Sequence, residues 1–229
     1  MKKPALDLRI MRKGVLESAV ETLRNAIVIG HFKPGERLVE AEMCAAIGIS
    51  RASLREALRR LQAERLVDII PNRGPVIPVM TWAGAEEIFQ VRLLLEPEAA
   101  ALAARHGTPA HHARARAGLA AFAIALAAHD MGQLISATAE MYEAITDAAG
   151  NGVIQELQRG LHARISFLRA QSMSANNRAA TSLQEMTAML DAIEAGQEAQ
   201  ARAATQAHIL AARAAAKAAY ECVHPSPAP

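Results

Sequence analysis

The side chains of this sequence best equipped for chemistry are arginines, and their spacing sorts them into two groups. Arg51, Arg55 and Arg59 recur every four residues, one stripe of an α-helix, with Ser53 in its first turn. A guanidinium is a planar fork of donors that matches a guanine edge or a phosphate, so this stripe suits the major groove of DNA. Leu54, Leu58 and Leu61 form the adjoining stripe that would hold the helix on a core. Because Glu56 and Glu64 share the helix, charge by itself fits a solvated basic surface equally well. The second group borders apolar stripes. Arg92 lies beside Ile88, Val91, Leu95 and Ala99, and Arg164 lies at the edge of Ile154, Leu157, Leu161, Ile165 and Leu168. Such a guanidinium is either a clamp for a carboxylate ligand or a structural cation paired with a glutamate inside a bundle. His111 and His112, followed by Arg114 and Arg116, read as wet surface.

Catalytic patterns are missing. There is no Cys/His pairing at a recognisable spacing and no Gly-rich phosphate loop. The expectation is therefore a binding protein and not an enzyme. Cys44 and Cys222, far apart in sequence, read as free thiols of a reducing cytoplasm.

The elements that must position these arginines follow from composition and periodicity. Of the 229 residues 52% are hydrophobic and only 3% aromatic, so the core is built from Ala, Leu, Ile, Val and Met, a mixture that favours packed helices. Apolar spacing predicts a helix over 16–29, a short one over 39–47 stopped by Gly48, and a third over 51–65 capped by Ser50. Two short β-type runs at 66–70 and 76–79 flank the turn Pro71-Asn72-Arg73-Gly74-Pro75, with Pro78 placing the second strand at an edge. Three helices and a hairpin make a winged helix-turn-helix. Arg73 and Gly74 then stand at the tip of a wing that can follow the minor groove.

Beyond residue 81 only helical periodicity is visible, over 82–105, 109–128, 131–149, 151–171, 178–195 and 197–221. The chain thus reads as mainly α, with a DNA-binding domain over 1–80, an all-helical domain over 81–223 and a disordered tail at 224–229. Residues 1–80 hold 14 lysines and arginines against nine acidic residues, whereas the remainder holds 11 against 14, which confines a nucleic-acid contact to one end. The longest uncharged apolar run, 117–128, is shorter than the roughly 20 residues of a membrane helix, so no membrane partner is expected.

Gly30, Pro34, Gly35 and Leu38, then Gly48-Ile49-Ser50-Arg51, Arg55-Glu56-Ala57-Leu58 and Leu61, then Asn72-Arg73-Gly74, resemble the GntR family of bacterial transcription regulators. The resemblance implies that Arg51, Ser53, Arg55 and Gly74 contact an operator. Ala41 departs from it, standing where some relatives carry a DNA-contacting arginine. The Ala-rich second half, with Val91, Arg92, Glu96, Gly150-Asn151, Asp191-Ala192-Ile193 and His208, resembles the helical ligand-binding (FCD-type) domain of the FadR-like branch. An aminotransferase-like partner domain is excluded, because Lys217 is the only lysine after residue 80.

That branch holds a divalent metal with one Asp and three His. Here Thr138, Tyr142 and Met186 stand at three of those positions and only His208 is retained, so the resemblance implies a degenerate site and no cofactor. Any bound metal would need other residues, such as His162. Arg92, Thr138, Tyr142, Arg164, Met186 and His208 are instead the candidate lining of an effector pocket, although His208 fits a core histidine equally well. The whole implies a homodimer on an inverted-repeat operator, its affinity set by a small, carboxylate-type effector. A constitutive DNA-binding protein and an enzyme built on the bundle are the alternatives.

Overall fold

The computed structural model describes residues 14–173 and 178–223, apart from the side chains of His162, Ala163, Gln171 and Val223. The expected disordered tail at 224–229 lies outside the described residues. Two compact units divide the chain: Phe32–Pro78 with the helix before it, and the stretch from Val79 onward together with Val28–His31.

The first unit contains α1 (Gly14–Val28), α2 (Glu40–Ile47), α3 (Arg51–Ala63), β1 (Asp68–Ile70) and β2 (Gly74–Val76). Gly48 ends α2 at φ 73°, donating its N–H to the Cys44 carbonyl, a left-handed cap that suits glycine. Two residues later the Ser50 hydroxyl accepts the Ser53 N–H at 3.1 Å and starts α3. Leu54, Ala57, Leu58 and Leu61 of α3 are buried, each leucine worth roughly 1.5–3 kcal/mol. Arg24 of α1 forks onto Glu64 at the end of α3 at 2.7 and 2.8 Å.

The hairpin is shifted from its expected register. Asp68 pairs with Val76 and Ile70 with Gly74, so the turn needs only residues 71–73, with Asn72 at φ 63° and Gly74 at φ 86°. β2 begins at Gly74 because its other side is held as well. Leu38 N–H donates to the Pro75 carbonyl, and Ile77 exchanges bonds with Glu36 and Gly35, all at 2.9 Å. Pro78 follows the strand, and the proline inside it is Pro75.

The second unit consists, among the described residues, of six helices: α4 (Trp82–His106), α5 (Pro109–Ala127), α6 (Met131–Ala148), α7 (Gly152–Met173), α8 (Arg178–Glu194) and α9 (Glu198–Val223). Thr81, Thr108 and Asp130 cap α4, α5 and α6 with side-chain oxygens. Small residues let the helices close up. A Cβ on Gly118 of α5 would lie 2.9 Å from the Met141 backbone nitrogen of α6. Phe122, Met141, Met186, Met189 and Ile193 fill one part of the core, and Phe89, Leu168 and Ile209 another. Leu157, expected in the stripe of α7, is instead 51% exposed. The central helix α4 packs on α6, α7, α8 and α9. Its buried stripe runs through Phe89, Arg92, Glu96, Ala99, Ala100 and Ala103, which puts two charged residues in the middle of the core and not beside it.

Candidate functional site

α3 presents its arginines outward. Arg51, Arg55 and Arg59 are exposed while the leucine stripe is buried, and the wing carries Arg73 exposed and Gly74 half-buried. Ser53 is half-buried, its hydroxyl 3.0 Å from that of Ser50. Arg55 is held by a residue that sequence reasoning missed: both Glu40 carboxylate oxygens, from α2, lie 3.1–3.2 Å from its Nε. The Arg55 side chain nevertheless stays 63% exposed. Arg59 has only a long contact to Glu56 at 3.8 Å, worth little at a surface.

The helical unit holds a buried charged cluster. Arg92 of α4 forks onto Glu96 one turn on, at 2.7 and 3.3 Å. Arg169 of α7 stacks on the Tyr142 ring of α6, 4.1 Å from its centroid, and reaches Glu96 only at 3.9 Å. The Tyr142 ring stands 6.3 Å from that of His208 on α9. His208 Nδ1 bonds Glu185 of α8 at 2.6 Å, and Glu185 also receives both Nη groups of Arg178 at 2.7 and 2.9 Å. Arg178 further reaches the His208 carbonyl at 3.4 Å. Met186, adjacent to Glu185, is fully buried, and Thr138 is buried with its hydroxyl spent on the Leu134 carbonyl at 2.7 Å.

Five polar atoms of this cluster are buried without a hydrogen-bond partner: Arg92 Nη1, Tyr142 Oη, Ser166 Oγ, Arg169 Nε and Arg178 Nε. Arg92, Tyr142, Arg169 and Arg178 belong to the contacts just described, and Ser166 lies one turn before Arg169 on α7. All five can donate, and the guanidinium nitrogens can do nothing else.

The fields inside the cluster are strong. Burial works against the charge of Arg92, but Glu96 outweighs it and the guanidinium ends above its usual range. Burial likewise opposes the Glu96 carboxylate, which Arg92 and Arg169 nevertheless hold below the ordinary range. Arg169 is lowered, by burial first and then by Arg92, since it shares its one carboxylate with that neighbour. Burial pushes the Tyr142 hydroxyl up to about 12. His208 is pulled down by burial against the pull of Glu185, which favours the neutral ring with Nδ1–H donating to Glu185.

Of the residues predicted to line this pocket, Arg92, Tyr142 and His208 belong to the network and Thr138 and Met186 are buried beside it on the same helices. Arg164 is half-buried, and among the described residues no hydrogen bond or ion pair joins it to the cluster. The α7 guanidinium in the cluster is Arg169. It continues the four-residue spacing Leu161–Ile165–Arg169, a signal present in the sequence. Arg178, Glu185 and Ser166 were also missed, because no local pattern separates them from surface residues. The donors at the family's metal positions do not fit an Asp/His₃ site. The threonine hydroxyl and the imidazole Nδ1 are engaged, the thioether is soft, and a guanidinium lies on the phenol. Among the described residues no three His, Cys, Asp or Glu side chains are grouped to hold a metal. The side chain of His162 is outside those residues.

Comparison with known proteins follows these two parts. The family model described as FCD domain matches residues 87–211, and that of bacterial regulatory proteins, gntR family, matches residues 16–77. The galactonate operon transcriptional repressor of Escherichia coli (strain K12) is 29% identical over 196 residues, covering 76% of this chain and 84% of the repressor. The Nta operon transcriptional regulator of Aminobacter aminovorans is 37% identical over 78 residues, 34% of this chain and 37% of that regulator. The chain spans between a third and just over half of the length of several curated relatives it matches. Among solved structures, E. coli McbR/YncC superposes with a TM-score of 0.80 at 24% identity, covering 91% of this chain and 100% of that one, which is a likeness of fold.

Proposed function

Because this chain belongs to the gntR family of bacterial regulatory proteins and carries an FCD domain, we propose that two copies bind an inverted-repeat operator under the control of a small carboxylate-type effector. The chain is a transcription regulator and not an enzyme. The homodimer follows from the match of a two-fold protein to a palindromic site. It is supported by large apolar side chains left in water on the helical half, Leu94 at 74% exposure, Val153 at 66% and Leu157 at 51%. No helix among the described residues is long and apolar enough to cross a membrane, in keeping with work in the cytoplasm beside DNA.

The observation that carries the effector reading is the buried charged network of α4, α6, α7 and α8, in which Arg92, Tyr142, Arg169 and Arg178 each keep a polar atom without a partner. A regulator without effector control would gain stability by replacing that network with apolar side chains, so its presence favours a ligand over constitutive binding. The ligand acts allosterically by binding more tightly in one arrangement of the DNA-binding halves than in the other. In operator recognition Arg51 and Arg55 reach base edges, Ser53, Arg59 and Arg73 position the backbone, and Gly74 lets the wing approach closely.

The test is selection of duplexes from a random pool by the whole chain, followed by titration with Arg51→Ala and Arg55→Ala. Each lost bidentate contact costs about 1–3 kcal/mol, roughly 5- to 150-fold in affinity, while circular dichroism and native mass leave fold and subunit number unchanged. Unchanged affinity in both variants would refute the assignment.

A further inference from the structure

We propose that the helical half takes a monoanion, and that the charge holding it is supplied by Arg169, with Arg92 beside it, in place of a divalent cation. The inference rests on reading the cluster as the effector site, and it adds the charge of the ligand and the source of its counter-charge.

Three guanidiniums face two carboxylates, and burial disfavours the charged form of His208, so the cluster carries one positive charge more than its carboxylates balance. The geometry identifies the surplus. Glu96 is engaged by both its oxygens with Arg92, and Glu185 by both with Arg178. Arg169 therefore has no carboxylate of its own, only the 3.9 Å approach to Glu96, and it is 5% exposed with Nε unpartnered. Ser166 lies one turn earlier on α7, and the hydroxyl of Tyr142 belongs to the ring that Arg169 covers. An anion bonded to Arg169 Nε would pair that orphan and cancel the surplus, with Arg92 Nη1, Ser166 Oγ and Tyr142 Oη the further buried donors without a partner.

The same arithmetic argues against the family's metal. A divalent cation near Tyr142 and His208 would raise the buried surplus from one charge to three, with a guanidinium already 4.1 Å from the phenol ring centre. A dianion would instead leave a buried net negative charge unless His208 took up a proton, which its burial opposes. The site thus favours one negative charge over two.

The experiment measures thermal shift and calorimetric binding on the whole chain, dialysed against a chelator, at pH 7.5 and fixed ionic strength. The probes are size-matched pairs: acetate and malonate, butyrate and succinate, lactate and malate, benzoate and phthalate. The expected result is that at least one monocarboxylate raises the melting temperature, equally with and without chelator, and binds at least tenfold tighter than its dicarboxylate partner. Arg169→Met loses that response while still melting cooperatively, and Arg169→Lys recovers part of it. Tighter dicarboxylate binding, or a response abolished by chelator and restored by Zn²⁺ or Mn²⁺, overturns the inference and leaves the effector reading standing. Silence from every probe overturns the effector reading along with it.

Discussion

Arg169 supplies a test in which stability and binding must move in opposite directions. Replacing it with Met removes a buried cation that has no carboxylate of its own. The loss is the stacking on Tyr142, about 1–2 kcal/mol for a desolvated cation–π pair. The gain is relief of an unpartnered buried donor and of part of the desolvation of the surplus charge, together about 2–4 kcal/mol. The balance for the ligand-free protein runs from zero to about 3 kcal/mol of added stability. For a chain of this size that is a rise in melting temperature of up to about 10 °C. Glu96→Gln is the control, since it strips Arg92 and Arg169 of their shared counter-ion. Breaking a buried pair in this way costs about 3–5 kcal/mol, a fall of about 6–20 °C. Both variants are melted beside the unmodified chain by far-ultraviolet circular dichroism, at one protein concentration and pH 7.5. If Arg169→Met falls as far as Glu96→Gln, the Arg169 guanidinium is a fully compensated structural cation and the reasoning is wrong.

Two further outcomes follow from particular contacts. Folding favours the neutral form of His208, so its contribution is intact above its ordinary value of 6.5 and is lost as pH falls below it. Melting temperature should therefore drop between pH 7 and 5.5, before the Glu185 carboxylate begins to titrate, and His208→Gln should flatten that drop; an unchanged slope would show that His208 is not its source. Gly118→Ala drives a methyl against the Met141 backbone nitrogen and should lower stability by about 1–3 kcal/mol through overpacking, read by urea melts, with a neutral result contradicting the close α5–α6 approach.

The sequence discloses elements far better than it discloses buried charge. The nine helices among the described residues fall within about two residues of their expected limits, because capping side chains and left-handed glycines such as Gly48, Gly150 and Gly196 punctuate the chain chemically. β2 is displaced because its position is fixed by bonds to residues 35–38, a pairing across some 40 positions that no local pattern reveals. The α3 arginines are legible for the opposite reason, since amphipathic spacing decides both which face is buried and which is presented. The buried charged cluster is half legible. Arg92 and His208 were marked by their positions, yet the rule that equates apolar with buried set Arg92 beside the stripe of α4 when it lies in the middle. The same rule gave Leu157 to the core, where it is exposed, and passed over Arg169, which sits on the core face. Arg178 and Glu185 carry no periodic signal, and only the meeting of α6, α8 and α9 gives them a role.

The account stands most directly on whether DNA affinity depends on both halves of the chain. The decisive measurement is a fluorescence-anisotropy titration of the selected duplex with the unmodified chain, Arg51→Ala and Arg169→Met, each with and without the monocarboxylate that shifts its melting. The account predicts that the ligand changes the affinity of the unmodified chain by about five-fold or more, that Arg51→Ala loses the site, and that Arg169→Met keeps the site but ignores the ligand. Equal affinities with and without ligand in the unmodified chain, or a site bound as well by Arg51→Ala, would contradict it.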